Sequence, residues 1–186
     1  GKGMIVSVKM FMLTLLFSLP LGLIVAFGRM SKNSILRTVT KVYISIMRGT
    51  HLMLQLLVVY FGPYYAFKVI IGSGYRFVAV ILAFSINYAA YFAEIYRSGI
   101  ASIPEGQYEA AKVLGMNRFR TFFLVILPQV FRRVLPALTN EVITLVKDTS
   151  LAFAIGQVEM FTLAKRLASS TVSMSPYVVA AAIYYV

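Results

Sequence analysis

The sequence predicts an all-α membrane protein with about five transmembrane helices and one short helix on the cytoplasmic side. Three observations favour this fold class. Of the 186 residues, 60% are hydrophobic and 13% are charged, whereas soluble domains average about 45–50% and about 25%. Several uncharged runs approach the roughly 20 residues that a helix needs to cross a bilayer. Most basic residues lie between these runs, where such residues set the orientation of a membrane protein.

The net charge of +12 comes from 18 basic and 6 acidic residues. In a soluble protein it would indicate nucleic-acid binding, but here the basic residues do not lie on one amphipathic face. The chain has no cysteine and one histidine, His51. Disulfides, thiolate sites and a histidine-rich metal site are therefore excluded for this chain. We predict that it binds no metal and no cofactor of its own.

The first three predicted spans are 10–27, 49–67 and 77–93. Between the first two, the segment 28–48 carries five basic residues and no acidic one. We expect this cationic loop in the cytoplasm, which places the N-terminus outside. The glycine-rich residues 72–74 predict a short outer turn.

The last two predicted spans are 129–147 and 170–186, and the whole of 1–186 is interpreted as a single transmembrane domain. Alternation of the spans puts the charged segment 98–128 in the cytoplasm. We also expect further residues beyond both ends, since the chain stops within an apolar run.

A short helix with stop signals at both ends is predicted within this cytoplasmic segment. Ser102 and Glu105 have the spacing of a capping box, and Pro104 is tolerated in a first turn. Gly115 is well placed just past the helix end. About 12 residues give roughly 18 Å, too short to cross a bilayer. A second helix is expected from Asn117 to Pro128. These features alone leave open an interfacial helix without a specific role.

The triplet Glu109-Ala110-Ala111 is followed four residues later by Gly115, and then by the Ile-Leu-Pro sequence at 126–128. This combination resembles the EAA signature of ABC importer permeases. Four further segments are similar to the branch of that family that imports polar amino acids: 47–50, 97–100, 104–107 and 145–151. His51 departs from the pattern, because that branch commonly has proline there, and this puts the local bend of the second span in doubt.

The resemblance implies an ABC type I importer permease of the bacterial cytoplasmic membrane, a non-catalytic subunit working by alternating access. It implies that the short helix docks on a separate cytoplasmic ATPase dimer, which would hold ATP and Mg. This chain has no phosphate-binding loop of its own. The other implied partners are a second permease subunit, identical or paralogous, an extracytoplasmic solute-binding protein and membrane lipid. The residues assigned to ATPase coupling are Pro104, Glu105, Tyr108, Glu109, Ala110, Ala111, Leu114 and Gly115.

Polar side chains also interrupt the apolar helices. A charged side chain near the bilayer centre raises the free energy of membrane insertion by at least about 2.5–3.5 kcal/mol. Glu141 and Asp148 share a helix face with Thr144. They suit a substrate path in which carboxylates bind an α-ammonium group, but an ion pair of Glu141 with Arg97 or Arg133 is an alternative. The predicted path residues are Asn87, Asn140, Glu141, Thr144, Asp148, Thr149 and Ser150. For Asn87, an interhelical hydrogen bond is the competing interpretation.

Two other protein classes compete with the importer hypothesis. One is an ion-coupled secondary transporter or channel without a partner ATPase, which would usually show repeats with broken helices. The other is a structural membrane anchor or an export subunit. The basic residues Lys41 and Arg48 are interpreted as anchors at the lipid headgroups.

Overall fold

The computed structural model describes residues 2–68, 74–158, 160–171 and 173–185. Within these ranges the chain is helical and contains no strand. The helices in chain order are α1 (Lys2–Arg29), α2 (Ser34–Gly49), α3 (Leu52–Phe67), α4 (Tyr75–Ala101), α5 (Glu105–Val113), α6 (Arg118–Arg120), a π-helical segment (Thr121–Ile126), α7 (Leu127–Asp148), a 3-10 helix (Thr149–Ile155), α8 (Met160–Thr171) and α9 (Ser175–Tyr185).

In the described part of the chain, three helical stretches are long and apolar enough to cross a membrane: Gly3–Arg29, Tyr75–Ala101 and Arg118–Ile155. A fourth crossing results if α2 and α3, which meet at an angle of 108°, form one broken span. The all-α membrane fold class is confirmed. α9 covers only 11 residues, fewer than a crossing needs, so the fifth span at 170–186 stays a prediction. The predicted turn at 72–74 lies largely outside the described residues.

Close contacts between α1, α4 and α7 form the centre of the fold. A Cβ atom added to Gly22 of α1 would lie 2.8 Å from the Cβ of Phe92 in α4. At Gly99 of α4, an added Cβ would lie 2.2 Å from Cγ1 of Val134 in α7. Glycine therefore lets α4 approach both neighbours closely. Buried side chains fill the space around this centre, among them Met10, Leu56, Phe84, Tyr88 and Leu145.

The segment 28–48 was expected to be a loop, and that expectation is wrong for most of it. Helix α2 occupies Ser34–Gly49. Asn33 caps its start, because Oδ1 accepts a hydrogen bond from the amide of Ile35 at 3.0 Å. The apolar residues of this segment recur at helical spacing, a pattern that its density of positive charge obscured.

Candidate functional site: an exposed short helix and a polar cluster between α4 and α7

The short helix α5 lies between α4 and α6 and spans Glu105–Val113. It has nine residues, fewer than the twelve expected, because it begins at Glu105 after Pro104 rather than at Ser102. The predicted capping box is not formed. The Ser102 hydroxyl instead donates to the carbonyl oxygen of Gly99 at 2.7 Å, closing the end of α4.

The far end of α5 agrees with the sequence. Gly115 has a φ of +70°, in the left-handed region where glycine is strongly favoured. The amide of Met116 donates to the carbonyl oxygen of Ala111 at 3.0 Å. The next helix then begins after Asn117, whose Oδ1 accepts from the amide of Arg120 at 2.8 Å. This helix was expected to stop at Pro128. It instead continues through the π-helical segment into α7.

One face of α5 is exposed and the other packs on the protein. Ala111 is 2% exposed and lies on the side of α5 that packs against the π-helical segment. The other seven predicted coupling residues are exposed: Pro104, Glu105, Tyr108, Glu109, Ala110, Leu114 and Gly115. The apolar side chains of Val113 and Leu114 are 87% and 78% exposed. The exposed face thus offers both acidic and apolar groups to a partner.

Polar side chains connect α5 and its leading turn to α7. Arg133 donates to the backbone carbonyl oxygen of Ser102, and a second hydrogen bond joins its Nη1 to the Ser102 hydroxyl at 3.0 Å. Gln129 Nε2 donates to Gln107 Oε1 at 3.0 Å. Buried Ile103 packs with Ile126, Val130 and Val134 beneath these contacts. The short helix and the turn before it are therefore joined to α7 by both hydrogen bonds and apolar packing.

A second group of polar side chains lies between α4 and α7. The hydroxyl of Tyr88 donates to Oδ2 of Asp148 at 2.6 Å. The ring of Tyr88 is 6.1 Å from the ring of Tyr91, measured between centroids. The guanidinium carbon of Arg48 lies 5.3 Å from the Tyr91 centroid, within the range of a cation–π contact. These contacts join α2, α4 and α7 in one polar cluster.

The predicted path residues are distributed around this cluster. Glu141 and Asp148 are half-buried, and Asn140 and Thr144 are exposed one turn apart. Among the described residues, neither basic side chain that was considered as a partner pairs with Glu141. Arg97 pairs with Glu94, with Nε and Oε2 3.0 Å apart, and Arg133 bonds to Ser102. Hydroxyl groups of Thr149 and Ser150 donate to carbonyl oxygens of the preceding turn.

Asn87 makes interhelical hydrogen bonds. Its Nδ2 donates to the carbonyl oxygen of Met47 at 3.0 Å and to Oε1 of Gln55 at 2.9 Å, and the side chain is 3% exposed. These bonds hold the junction of α2 and α3 against α4. At the same junction His51 caps α3, since Nδ1 accepts from the amide of Met53 at 3.2 Å. The chain therefore bends here without a proline.

Sequence reasoning missed two members of the polar cluster. Tyr88 was not assigned to the substrate path, and Arg48 was interpreted as a headgroup anchor. The spacing of Asn87, Tyr88 and Tyr91 along one helix is the signal that could have drawn attention to this face. No group of three or more His, Cys, Asp or Glu residues suited to a metal ion occurs within the described residues.

Comparisons with known proteins match nearly the whole chain. The family model described as "Binding-protein-dependent transport system inner membrane component" matches residues 18–186. The L-cystine transport system permease protein TcyB of Bacillus subtilis (strain 168) is 40% identical over 186 residues, covering 99% of this chain and 78% of that protein. The putative glutamine transport system permease protein GlnP of Rickettsia bellii is 34% identical over 187 residues, covering 100% and 84%.

Solved structures show the same architecture. A structure described as an amino acid ABC transporter with histidines superposes with a TM-score of 0.89 at 36% identity, covering 99% of this chain and 85% of that chain. An inward-facing methionine ABC transporter, MetNI, superposes with a TM-score of 0.68 at 19% identity, covering 97% and 85%. At that level of identity the second likeness shows the fold alone.

Proposed function

Since the chain belongs to the family of binding-protein-dependent transport system inner membrane components, we propose that it is the transmembrane permease subunit of an ATP-driven importer for polar amino acids. Relatives named for cystine and glutamine transport support the substrate class. Family membership does not favour the ion-coupled transporter or the channel.

The observation that carries this proposal is the exposed face of α5. This helix is too short to cross a membrane, is closed at Gly115 and presents Glu109 and Leu114 to the surroundings. Such a face suits a groove on a cytoplasmic ATPase: Glu109 offers a charge-assisted hydrogen bond, and Ala110 permits close approach. ATP and Mg would bind to that ATPase dimer. Closure of the dimer would move α5, and the bonds from Arg133 and Gln129 would pass that movement to α7.

The proposed substrate path runs along the face of α7 that carries Glu141, Thr144 and Asp148. A carboxylate there can bind the α-ammonium group of an amino acid, and neighbouring amide and hydroxyl groups can bind its polar atoms. The remaining residues proposed for the path are Asn140, Thr149 and Ser150. We assign Asn87, which bonds to Met47 and Gln55, to the packing of the α2–α3 junction on α4. Tyr88 positions Asp148 within this path.

The proposed assembly contains a second permease subunit, identical or paralogous, and a solute-binding protein on the outer side. Because the segment 28–48 is purely cationic, we place it on the cytoplasmic side and the N-terminus outside. With that orientation α5 also faces the cytoplasm. The described helices then cross the inner membrane several times.

Reconstitution tests the proposal. The chain is placed in proteoliposomes with the partner ATPase inside, the solute-binding protein outside and a panel of radiolabelled amino acids. Uptake is expected only with ATP inside, and not with a non-hydrolysable ATP analogue or without the ATPase. Uptake driven by an ion gradient in the absence of ATP would contradict the proposal.

A further inference from the structure

Helix α2 carries three kinds of surface along its length. Its protein-facing side includes buried Thr40 and Ile44, and Ile44 packs with Ala90 of α4. The Tyr43 hydroxyl donates to the carbonyl oxygen of Ile86, which also lies in α4. At 100° per residue, Ile35, Val39, Val42 and Ile46 fall within one sector of about 60°. These four side chains are all exposed, from 50% at Val42 to 76% at Ile35.

A basic face lies opposite this apolar stripe. Arg37 and Lys41 are one turn apart and are rotated by about 200° from Ile35 and Val39. Both are exposed, and neither forms an ion pair with an acidic residue in the described part of the chain. The residues 28–48 contain no aspartate or glutamate. By contrast, Arg48 is held over the Tyr91 ring and is not counted with this face.

The direction of α2 agrees with a position along a membrane surface. The helix meets α3 at 108° instead of continuing across the membrane. It packs on α4 near Ala90 and Ala93, and the predicted third span ends at 93. α2 therefore crosses α4 close to the expected inner boundary of the hydrocarbon core. Helices with one apolar face and one cationic face lie in this boundary, with the apolar side inward.

We propose that α2 is an interfacial helix that binds anionic phospholipid of the cytoplasmic leaflet. The stripe of Ile35, Val39, Val42 and Ile46 enters the acyl-chain boundary, while Arg37 and Lys41 contact the phosphate groups. Two unpaired cations without a neighbouring acid complement an anionic surface, and each basic residue near such a surface gains about fivefold in affinity. This lipid contact is independent of which solute the protein carries.

Energy transfer from an introduced tryptophan tests the proposal. Since the chain contains no tryptophan of its own, the introduced side chain is its only tryptophan donor. Full-length V39W is placed in nanodiscs with an equal fraction of dansyl-phosphatidylglycerol or dansyl-phosphatidylcholine. Transfer to the anionic lipid is expected to exceed transfer to the zwitterionic lipid. Adding R37Q/K41Q should reduce this preference by up to about 25-fold. The matched control is K165Q/R166Q, which removes two exposed cations from α8 and should keep the preference. Of these two, Lys165 lies over the Phe153 ring, 5.9 Å from its centroid.

Three results would overturn the proposal: equal transfer to both lipids in the V39W protein, an equal loss of preference in both double variants, or transfer to neither lipid. The last result would mean that protein, such as a second subunit, covers the stripe. I35W provides a second reporter on the same stripe for the case in which V39W does not fold, as judged by circular dichroism.

Discussion

The hydroxyl of Tyr88 in α4 donates a hydrogen bond to Oδ2 of Asp148 at the end of α7, with the oxygens 2.6 Å apart. Tyr88 is 2% exposed, so its hydroxyl has little access to water and depends on this acceptor. The bond joins α4 to α7 within the polar cluster. In the same cluster, the ring of Tyr91 lies between Tyr88 and Arg48. The bond also fixes the carboxylate of Asp148, one of the two acidic groups proposed for the substrate path.

Tyr88→Phe tests this relationship. The change removes one donor and leaves the ring, so we expect the free energy of unfolding to fall by about 1.5–3 kcal/mol, the range for hydrogen bonds involving a charged group. The concentration of amino acid at half-maximal uptake should also change, because Asp148 is no longer oriented. The free energy of unfolding is measured on the purified protein, and the dependence of uptake on amino acid concentration is measured on the reconstituted protein.

Tyr75→Phe is the matched control. The Tyr75 hydroxyl donates to the carbonyl oxygen of Val59 at 3.0 Å, so the control also loses one interhelical hydrogen bond. We expect it to affect stability without changing the dependence of uptake on substrate. If both variants altered that dependence equally, Tyr88 would be a packing residue only.

Charge reversal at Glu109 tests the docking face. Glu109→Lys replaces an exposed carboxylate on α5 and should weaken association with the ATPase by about 10–100-fold, the equivalent of one charge-assisted hydrogen bond. Binding of the ATPase to the permease in nanodiscs is the direct measurement, and ATP-driven uptake should fall with it.

Arg166→Glu is the control for Glu109→Lys, since it reverses one exposed charge on α8. Association with the ATPase is expected to persist in this variant. Glu109→Asp should retain part of the affinity, because the carboxylate is kept. If Glu109→Lys kept the full affinity for the ATPase and the full rate of uptake, α5 would not be the docking element.

The sequence predicts those features that depend on local composition. Long uncharged runs identify membrane helices, and a glycine after an apolar turn identifies the helix end at Gly115. The capping box failed because the Ser102 hydroxyl is already used elsewhere: it donates to the Gly99 carbonyl, one turn back in α4, and its oxygen accepts from Arg133 of α7. That choice is decided by how α4 ends, which the four residues of the box do not encode.

Pairings across the chain could not be predicted from one sequence. Tyr88 and Asp148 are separated by 60 residues, and nothing near either one specifies the other. Glu141 had two basic candidates, Arg97 and Arg133. Each of these has another partner. Arg97 bonds with Glu94 one turn earlier in its own helix, and Arg133 bonds with Ser102 once α7 packs against the end of α4.

The contact between Gly99 and Val134 predicts the effect of enlarging either residue. An added Cβ at Gly99 would lie 2.2 Å from Cγ1 of Val134, so Gly99→Ala must move either the Val134 side chain or one of the two helices. We expect a loss of about 1–3 kcal/mol in the free energy of unfolding, as for overpacked cores. Gly62→Ala is the control, because nothing lies within 4 Å of its added Cβ. Thermal unfolding in detergent measures both.

A second substitution separates this steric cause from a general helix effect. Gly99→Ala combined with Val134→Ala removes the clashing methyl groups, so part of the lost stability should return. If the double variant were no more stable than expected from the sum of the single changes, the contact would not be the cause.

The link from α5 to α7 predicts a variant that still binds the ATPase but in which ATP hydrolysis drives less transport. Arg133→Gln removes the guanidinium that bonds to Ser102 and leaves the exposed face of α5 unchanged. We therefore expect normal association with the ATPase, continued ATP hydrolysis and a several-fold lower ratio of amino acid imported to ATP hydrolysed. Arg132→Gln is the matched control: its neighbouring, exposed side chain forms no hydrogen bond to α5 within the described residues. An unchanged transport ratio in Arg133→Gln would mean that force reaches α7 through the Gln107–Gln129 hydrogen bond and the apolar packing of Ile103, whereas loss of ATPase binding would make Arg133 part of the docking surface.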